Sequence, residues 1–372
     1  MTTIRFDRPG RIVLKIGSSS LTASDGGLDR DVVAAVCDQI AVLHREGCEV
    51  VLVSSGAVAA GIKPLGLPQR PTDLGTQQAA ASVGQGALIH AYATALAGHG
   101  LPVGQVLLTP DDIIDRRRYL NARTTFSQLL RLGAVPVVNE NDTVVTDELR
   151  FGDNDRLAAL VTSMLGAGLL VLLSDVEGLH DGDPGGGAPV LERVDDLGAL
   201  DERHRGGSMS AIGTGGMASK LEAARIATFS AAHCVIARAR RPGVIVEATT
   251  GGPVGTWFPP AAKRPESRRL WLAFAHQPAG RVHVDAGAVR ALTDKGASLL
   301  AIGITGLDGA FEAGDAVDLV GPDGTSVARG VIAFDAATVA AIKGLPTDRL
   351  SLVVGDAATR PVMHRDQLVL TA

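Results

Sequence analysis

Residues 11–20 read RIVLKIGSSS, a short apolar run that carries one lysine, Lys15, and ends in a glycine-serine cluster. The run predicts a buried strand over Arg11–Gly17, and the cluster predicts a loop at its end. Apolar residues then recur at helical spacing over Asp31–Glu46, and a second apolar run lies at Val50–Val53. Strand, helix and strand in this order predict a βαβ unit with two parallel strands.

The same alternation continues along the chain, with strands predicted at Val103–Leu108, Val135–Val138, Leu169–Leu173 and Cys234–Ala237, and helices at Pro71–Gly100, Asn121–Leu132, Asp155–Leu165 and Lys220–Phe229. This order predicts an α/β fold, a three-layer αβα sandwich around a mainly parallel sheet. Ligands bind beyond the carboxyl ends of the strands in such folds. We therefore expect one polar site at that edge, built from the clusters that follow four strands: Lys15–Ser20, Ser54–Gly56, Asn139–Asp142 and Ser174–Asp175.

The chain has 372 residues, which is more than one ordinary domain, and its composition changes along its length. The stretch TWFPPAAKRPESRR, which begins after Gly255, indicates a linker because it combines prolines with a run of charges. Beyond Arg281, short strands such as Val317–Val320 and Val327–Ile332 predict a small, hairpin-rich β domain. We predict a catalytic domain at residues 1–260, a linker at 261–277 and the β-rich domain at 278–372.

Charge and cysteine usage exclude several classes of protein. The net charge of -5 gives no support for nucleic-acid binding, which usually needs a basic face. Cys37, Cys48 and Cys234 are scattered and form no CxxC pair, which is typical of buried thiols in a reduced compartment. No long apolar run precedes Arg11, and no stretch approaches the ~18 apolar residues that span a bilayer. We expect a cytoplasmic protein without a membrane partner.

The segment Gly213–Lys220, GTGGMASK, is the most specific motif. Its three glycines let backbone N–H groups approach a ligand, and the helix that it opens favours an anion at its N-terminus. Lys220 would then be a cation in the first helical turn, which the helix dipole disfavours and a bound anion would explain. The alternatives are a flexible loop or a dinucleotide fingerprint, although no clear strand precedes it. Lys15 either neutralises phosphate from its strand end or snorkels to solvent.

Two segments are dense in carboxylates and amides, Asn139–Asp142 (NEND) and Gly152–Asp155 (GDND). Such side chains suit the recognition of an ammonium group and the orientation of lysines or Mg²⁺. The alternative interpretation is turn chemistry and helix capping, with Asp153 or Asn154 as the cap of the following helix. The two interpretations are compatible.

These motifs, in this order along the chain, also carry a family resemblance. Residues 11 to about 257 resemble the amino-acid kinase family, in particular its members that phosphorylate the side-chain carboxylate of glutamate. Val284–Ala288 and Ser298–Ile304 resemble a PUA domain, which is typical of these kinases and of RNA-modifying enzymes. The resemblance implies that Lys15 and Lys220 flank the transferred phosphoryl group and that Asp155 orients them. It implies that Ser55, Asp142 and Asn154 bind glutamate, and that ATP binds Lys15, Ser174, Asp175, Thr214, Gly215, Gly216, Met217, Ala218, Ser219 and Lys220.

The implied activity is the ATP-dependent phosphorylation of the γ-carboxylate of L-glutamate to L-glutamyl 5-phosphate, the first step of proline biosynthesis. ATP would be the co-substrate and Mg²⁺ the cofactor, with the metal ligands left unassigned. Proline would be a feedback inhibitor. The resemblance further implies a homo-oligomer, dimer or tetramer, and handover of the product to glutamyl phosphate reductase.

The sequence leaves three alternatives open. Another kinase of the same fold would phosphorylate acetylglutamate, carbamate or uridylate. RNA binding through the C-terminal domain is disfavoured, because eight Lys/Arg against eleven Asp/Glu from Arg281 onward give it a net charge of about -3. The C-terminal part could instead have a regulatory or structural role, including contacts between subunits.

Overall fold

The computed structural model describes residues 6–23, 26–144, 154–182, 186–195, 197, 216–261, 278–346, 349–350, 353, 355, 360–365 and 368–370. The chain divides into two compact units, residues 1–264 and 265–372, and each has its own buried apolar core. Of the linker predicted at 261–277, all but the first residue lies outside the described residues. The exact domain boundaries therefore stay a prediction.

The first unit contains a seven-stranded sheet with the strand order β3-β4-β2-β1-β5-β6-β7. Its strands are β1 (Arg11–Ile16), β2 (Glu49–Ser54), β3 (Val103–Leu108), β4 (Val135–Glu140), β5 (Leu169–Ser174), β6 (His233–Arg238) and β7 (Thr256–Phe258). The first six strands pair in parallel, and only β7 is antiparallel to its neighbour in this described sheet. This confirms the predicted α/β class with a mainly parallel sheet.

Nine described helices accompany this sheet: α1 (Ser18–Leu21), α2 (Arg30–Arg45), α3 (Ala57–Ile62), α4 (Leu74–Ala97), α5 (Pro110–Ile114), α6 (Arg116–Arg131), α7 (Asn154–Leu165), α8 (Gly216–Phe229) and α9 (Val244–Thr249). Every helix predicted for this unit is present, but α6 and α8 begin five and four residues earlier than predicted. Helix α6 begins at Arg116, since the Asp115 side chain caps it by accepting a hydrogen bond from the Arg118 backbone N–H at 2.8 Å.

The structure corrects the predicted position of Lys220 within helix α8. It begins at Gly216, so Lys220 is its fifth residue and lies beyond the first turn in which the sequence had placed it. Because glycine has a low helix propensity, the sequence pattern did not indicate that the helix begins at Gly216. A second correction concerns the stretch after Gly255: Thr256–Phe258, predicted as the start of a linker, forms the buried edge strand β7.

The alternation of side chains along β1 separates an apolar face from the face that carries Lys15. Ile12, Leu14 and Ile16 belong to the large buried core on one side of the sheet. Lys15 points to the opposite side, where α7 packs against β1 and against α8. The strands that follow β1 in sequence, β2 to β4, lie on one side of it in the sheet, whereas β6 and β7 lie on the other side, beyond β5. The strand order therefore changes direction between the neighbouring strands β1 and β5. The carboxyl edge beside Lys15 is therefore the expected ligand crevice.

Helices α3 and α4 pack with their backbones in contact. A Cβ atom on Gly84 would lie 1.9 Å from the Ala57 carbonyl oxygen, and one on Gly61 would lie 1.9 Å from the Ala80 carbonyl oxygen. No side chain fits at these distances, so glycine is required at both positions. Gly86, on the same helix as Gly84, has open space where a Cβ would project.

We expect opposite effects from the same substitution at these two glycines of α4. Gly84→Ala should lower the free energy of unfolding by about 1–3 kcal/mol, because the helices must separate to admit the methyl group. Gly86→Ala should raise it by about 0.5–1 kcal/mol, because alanine restricts the unfolded chain without a clash. Urea denaturation of the two variants checks this, and equal effects would contradict the close packing.

The second unit contains a five-stranded sheet with the order β12-β11-β10-β8-β9. Its elements are β8 (Gly280–Val284), α10 (Ala286–Lys295), β9 (Ile304–Gly309), β10 (Ala316–Val320), β11 (Ser326–Val331), α11 (Ala336–Ile342) and β12 (Leu368–Leu370). The predicted hairpin of β10 and β11 is confirmed. Helix α10 was not predicted; the Asp285 side chain caps it by accepting a hydrogen bond from the Ala288 backbone N–H at 2.7 Å. In the described part of the chain, no helix combines the length and apolarity needed to cross a membrane.

Candidate active site

Lys15, Asp155 and Lys220, here called the lysine clamp, meet at the carboxyl edge of the large sheet. The Lys15 Nζ lies 2.6 Å from Asp155 Oδ1, and the Lys220 Nζ lies 3.1 Å from Asp155 Oδ2. Asp155 is fully buried, and the Lys15 side chain is only 3% exposed. Two ammonium groups on one carboxylate leave a net charge of about +1, so the clamp can attract an anion.

Each member of the clamp comes from a different element of the fold. Lys15 is the fifth of six residues in β1, Asp155 is the second residue of α7, and Lys220 follows the first turn of α8. Asp155 also accepts a hydrogen bond from the Ser219 hydroxyl at 3.0 Å, and Lys220 Nζ donates to the Gly216 carbonyl oxygen at 3.2 Å. The buried carboxylate therefore fixes both lysines and the start of α8 at one point.

Three hydrogen-bonded amide side chains and one hydroxyl lie next to the clamp and are called here the amide cluster: Gln85, Asn139, Asn154 and Ser55. Asn154 Nδ2 donates to Ser55 Oγ and to Asn139 Oδ1, both at 2.9 Å. Asn139 Nδ2 donates in turn to Gln85 Oε1 at 2.8 Å. Asn154 precedes Asp155 in the chain, so the amide cluster is continuous with the clamp.

The structure places most of the residues expected to bind ligands at this edge. Ser55 and Asn154 are brought together, and Asp142 lies in the turn that follows β4. Ser174 ends β5, and its hydroxyl donates to Asp175 Oδ1 at 3.0 Å. Gly216, Met217, Ala218, Ser219 and Lys220 form the start of α8, whereas Thr214, Gly215 and the possible cap Asp153 lie outside the described residues.

Sequence reasoning missed two members of the amide cluster as individual site residues. Asn139 stands in the NEND segment, so its position at a strand end was the available signal. Gln85 lies in the middle of α4, far from any motif, and only the packing of that helix brings it to Asn139. A further buried contact joins Ser54 Oγ to the Tyr92 hydroxyl at 2.9 Å. Burial raises the pKa of Tyr92, so this phenol stays neutral.

The three cysteines take no part in the site chemistry. All are free and buried, as the sequence predicted. Burial raises the pKa of the Cys234 thiol above its ordinary value, and the nearby Asp155 carboxylate raises it further. The thiol therefore stays protonated and is not a nucleophile.

The described residues do not build a magnesium site from protein ligands. Within them, no group of three or more His, Cys, Asp or Glu side chains is placed to hold a metal ion. Both oxygens of Asp155 already contact the lysine ammonium groups. In this arrangement Asp155 is therefore not available as a magnesium ligand.

Models of two protein families match this chain. The model of the amino acid kinase family matches residues 10–238, and that of the PUA domain matches residues 280–354. The chain is 53% identical over 362 residues to a glutamate 5-kinase of Salinispora arenicola, with 97% of each chain covered. It is 51% identical to that of Streptomyces coelicolor and 46% identical to that of Trichlorobacter lovleyi, covering 97% of this chain and 96% of each relative. The chain is therefore an enzyme of the amino acid kinase family that carries a PUA domain in its C-terminal unit.

Proposed function

We propose that this enzyme transfers the γ-phosphoryl group of ATP to the side-chain carboxylate of L-glutamate. The product would be L-glutamyl 5-phosphate, the first intermediate on the route to proline. The lysine clamp is the observation that carries this proposal, since it presents two cations to a transferring phosphoryl group. The glutamate 5-kinases among the relatives, similar over nearly their whole length, support glutamate as the acceptor.

The acceptor carboxylate is itself the nucleophile and is already ionised at neutral pH, so the reaction needs no general base. A carboxylate oxygen forms a bond to the γ-phosphorus while the bond to the bridging oxygen of ADP breaks, and ADP leaves. The main barrier is the approach of two anions and the charge on the transferring group. Lys15 and Lys220 offset that charge, and Asp155 holds their positions instead of acting as a base.

Around the clamp, Ser55, Asp142 and Asn154 would bind glutamate. Ser174, Asp175 and the segment Thr214–Lys220 would bind ATP, with backbone N–H groups at the start of α8 directed at its phosphates. Bound Mg²⁺ would supply further positive charge to those phosphates.

The reaction product offers a direct test of this proposal. Acyl phosphates react with hydroxylamine, so turnover in its presence should convert L-glutamate to γ-glutamyl hydroxamate in equal amount to the ADP released. N-acetylglutamate, carbamate and uridylate should give little ADP. Faster turnover of one of these acceptors, or ADP release without hydroxamate, would refute glutamate phosphorylation.

Asp142 supplies a prediction about the substrate site. Asp142→Ala should raise the KM for glutamate about 10–100-fold and change kcat little. A factor of this size corresponds to the free energy of a hydrogen bond to a charged group. Asp142→Asn should give a smaller rise, because the amide keeps the shape of the side chain and an oxygen acceptor. Steady-state kinetics measure both, and an unchanged KM in the alanine variant would remove Asp142 from the glutamate site.

We also propose that proline inhibits the enzyme through the glutamate site or its loop. Proline resembles glutamate in carrying an α-carboxylate and a cationic nitrogen, which the same residues could bind. A proline titration at sub-saturating glutamate should show inhibition that high glutamate relieves. We further propose that the enzyme forms a homo-oligomer and is located in the cytoplasm. It would deliver its labile product to glutamyl phosphate reductase.

A further inference from the structure

The amide cluster contains two buried polar atoms that have no hydrogen-bond partner among the described residues, Gln85 Nε2 and Asn154 Oδ1. One is a donor and the other is an acceptor, and hydrogen bonds through Asn139 connect the two side chains. A buried polar atom without a partner costs about 1–3 kcal/mol, so native proteins seldom keep one without a reason.

The backbone fixes which atoms remain unpaired. The Glu140 N–H can only donate, and it donates to Asn139 Oδ1 at 2.9 Å. The Asn139 amide must therefore direct its Nδ2 at Gln85, which makes the contacting atom of Gln85 its oxygen. Asn154 likewise uses Nδ2 on Ser55 and Asn139. The hydrogen bond from the Glu140 backbone N–H thus fixes the orientation of the three amides. This orientation leaves the Nε2 donor of Gln85 and the Oδ1 acceptor of Asn154 unpaired.

We propose that Gln85 is a substrate-binding residue whose Nε2 donates to the α-carboxylate of the amino-acid substrate, while Asn154 Oδ1 accepts from the α-ammonium group. The proposal rests on the proposed function, which places the γ-carboxylate at the lysine clamp. Asn154 is next to Asp155 in the chain, whereas Gln85 is connected to Asn154 only through two hydrogen bonds by way of Asn139. The proposal therefore assigns to Gln85 the end of the substrate opposite to the reacting carboxylate.

Close packing of α4 supports this assignment. Gly84 touches the Ala57 carbonyl oxygen and leaves no space for a side chain, and it immediately precedes Gln85. The backbone on which Gln85 stands is thus fixed against α3, so its amide is held in place before the substrate binds. This rigidity is what a residue that determines specificity requires.

Two substitutions at Gln85 separate substrate binding from a purely structural role. Gln85→Glu keeps an oxygen for Asn139 but removes the donor and adds a charge that repels a carboxylate. Gln85→Met removes both functions. Both variants should raise the glutamate KM about 10–100-fold with kcat within a few fold of wild type. Ala87→Glu adds the same charge at an exposed position of α4 and should leave KM unchanged.

The decisive comparison uses 4-aminobutyrate, which retains a carboxylate acceptor and an ammonium group but lacks the α-carboxylate. The kcat/KM for 4-aminobutyrate is compared with that for glutamate. Where 4-aminobutyrate turns over slowly, its inhibition constant Ki in competition with glutamate is measured instead. Gln85→Met should reduce the preference for glutamate over 4-aminobutyrate about 10–100-fold, since only glutamate loses a contact. An equal loss for both compounds, or a wild-type KM in Gln85→Glu, would overturn the proposal. Failure of the wild-type enzyme to phosphorylate glutamate would instead refute the proposed function.

Discussion

Lys220→Ala should lower kcat about 10²–10³-fold while the KM for glutamate stays within a few fold of wild type. Removing one preorganised electrostatic donor at a transition state has a cost of this size. Lys220 is the more exposed lysine of the clamp, with 11% of its side chain accessible, so the variant should still fold. Steady-state kinetics with ATP and glutamate varied in turn make the measurement.

The control for this variant is Lys343→Ala, which removes an exposed lysine from the second unit and should leave both constants unchanged. Lys220→Arg should recover only part of the rate, because the planar guanidinium presents its charge differently from a compact ammonium group. A large rise in KM with an unchanged kcat would show that Lys220 serves ground-state binding, in conflict with its place in the clamp.

Asp155→Asn should abolish most activity and also destabilise the fold, by about 3–5 kcal/mol. The substitution keeps the shape of the side chain but leaves the buried Lys15 ammonium without its counter-charge, and breaking a buried ion pair on one side has a cost of this size. Chemical denaturation and steady-state kinetics on the same preparation measure the two effects.

A double variant distinguishes the two consequences. Asp155→Asn combined with Lys15→Met removes the uncompensated charge together with the carboxylate, so it should regain much of the lost stability. It should regain no activity, since the clamp is then destroyed. Equal stability of the wild type and Asp155→Asn would contradict the role of Asp155 as the buried anchor of both lysines.

The local patterns of the sequence were sufficient to predict the sheet and the edge at which the site lies. Lysine within the apolar strand β1 is rarely tolerated without a partner, and Lys15 proves to have one in Asp155. The polar clusters after β1, β2, β4 and β5 lie at one edge because parallel strands end there together. Asp155 itself was recognised through the resemblance to the kinase family, since nothing local distinguishes it from a helix-terminal acid.

What the sequence could not predict depends on packing between distant segments. Gln85 reaches Asn139 through the packing of α4 within the folded unit, and neither periodicity nor a motif encodes that contact. The start of α8 was misplaced because its first residue, Gly216, has a low helix propensity and ends a glycine-rich segment. The triplet Thr256–Phe258 was too short to be recognised as a strand before two prolines.

The most direct test of the account is ADP release by the purified enzyme with L-glutamate, aspartate and N-acetylglutamate, each compared in wild type and Lys220→Ala. We predict that L-glutamate gives by far the highest kcat/KM, and that Lys220→Ala lowers it about 10²–10³-fold through kcat. Turnover that prefers aspartate or N-acetylglutamate would contradict the assignment of the acceptor. A Lys220→Ala enzyme with the wild-type rate on L-glutamate would contradict the two-lysine clamp itself.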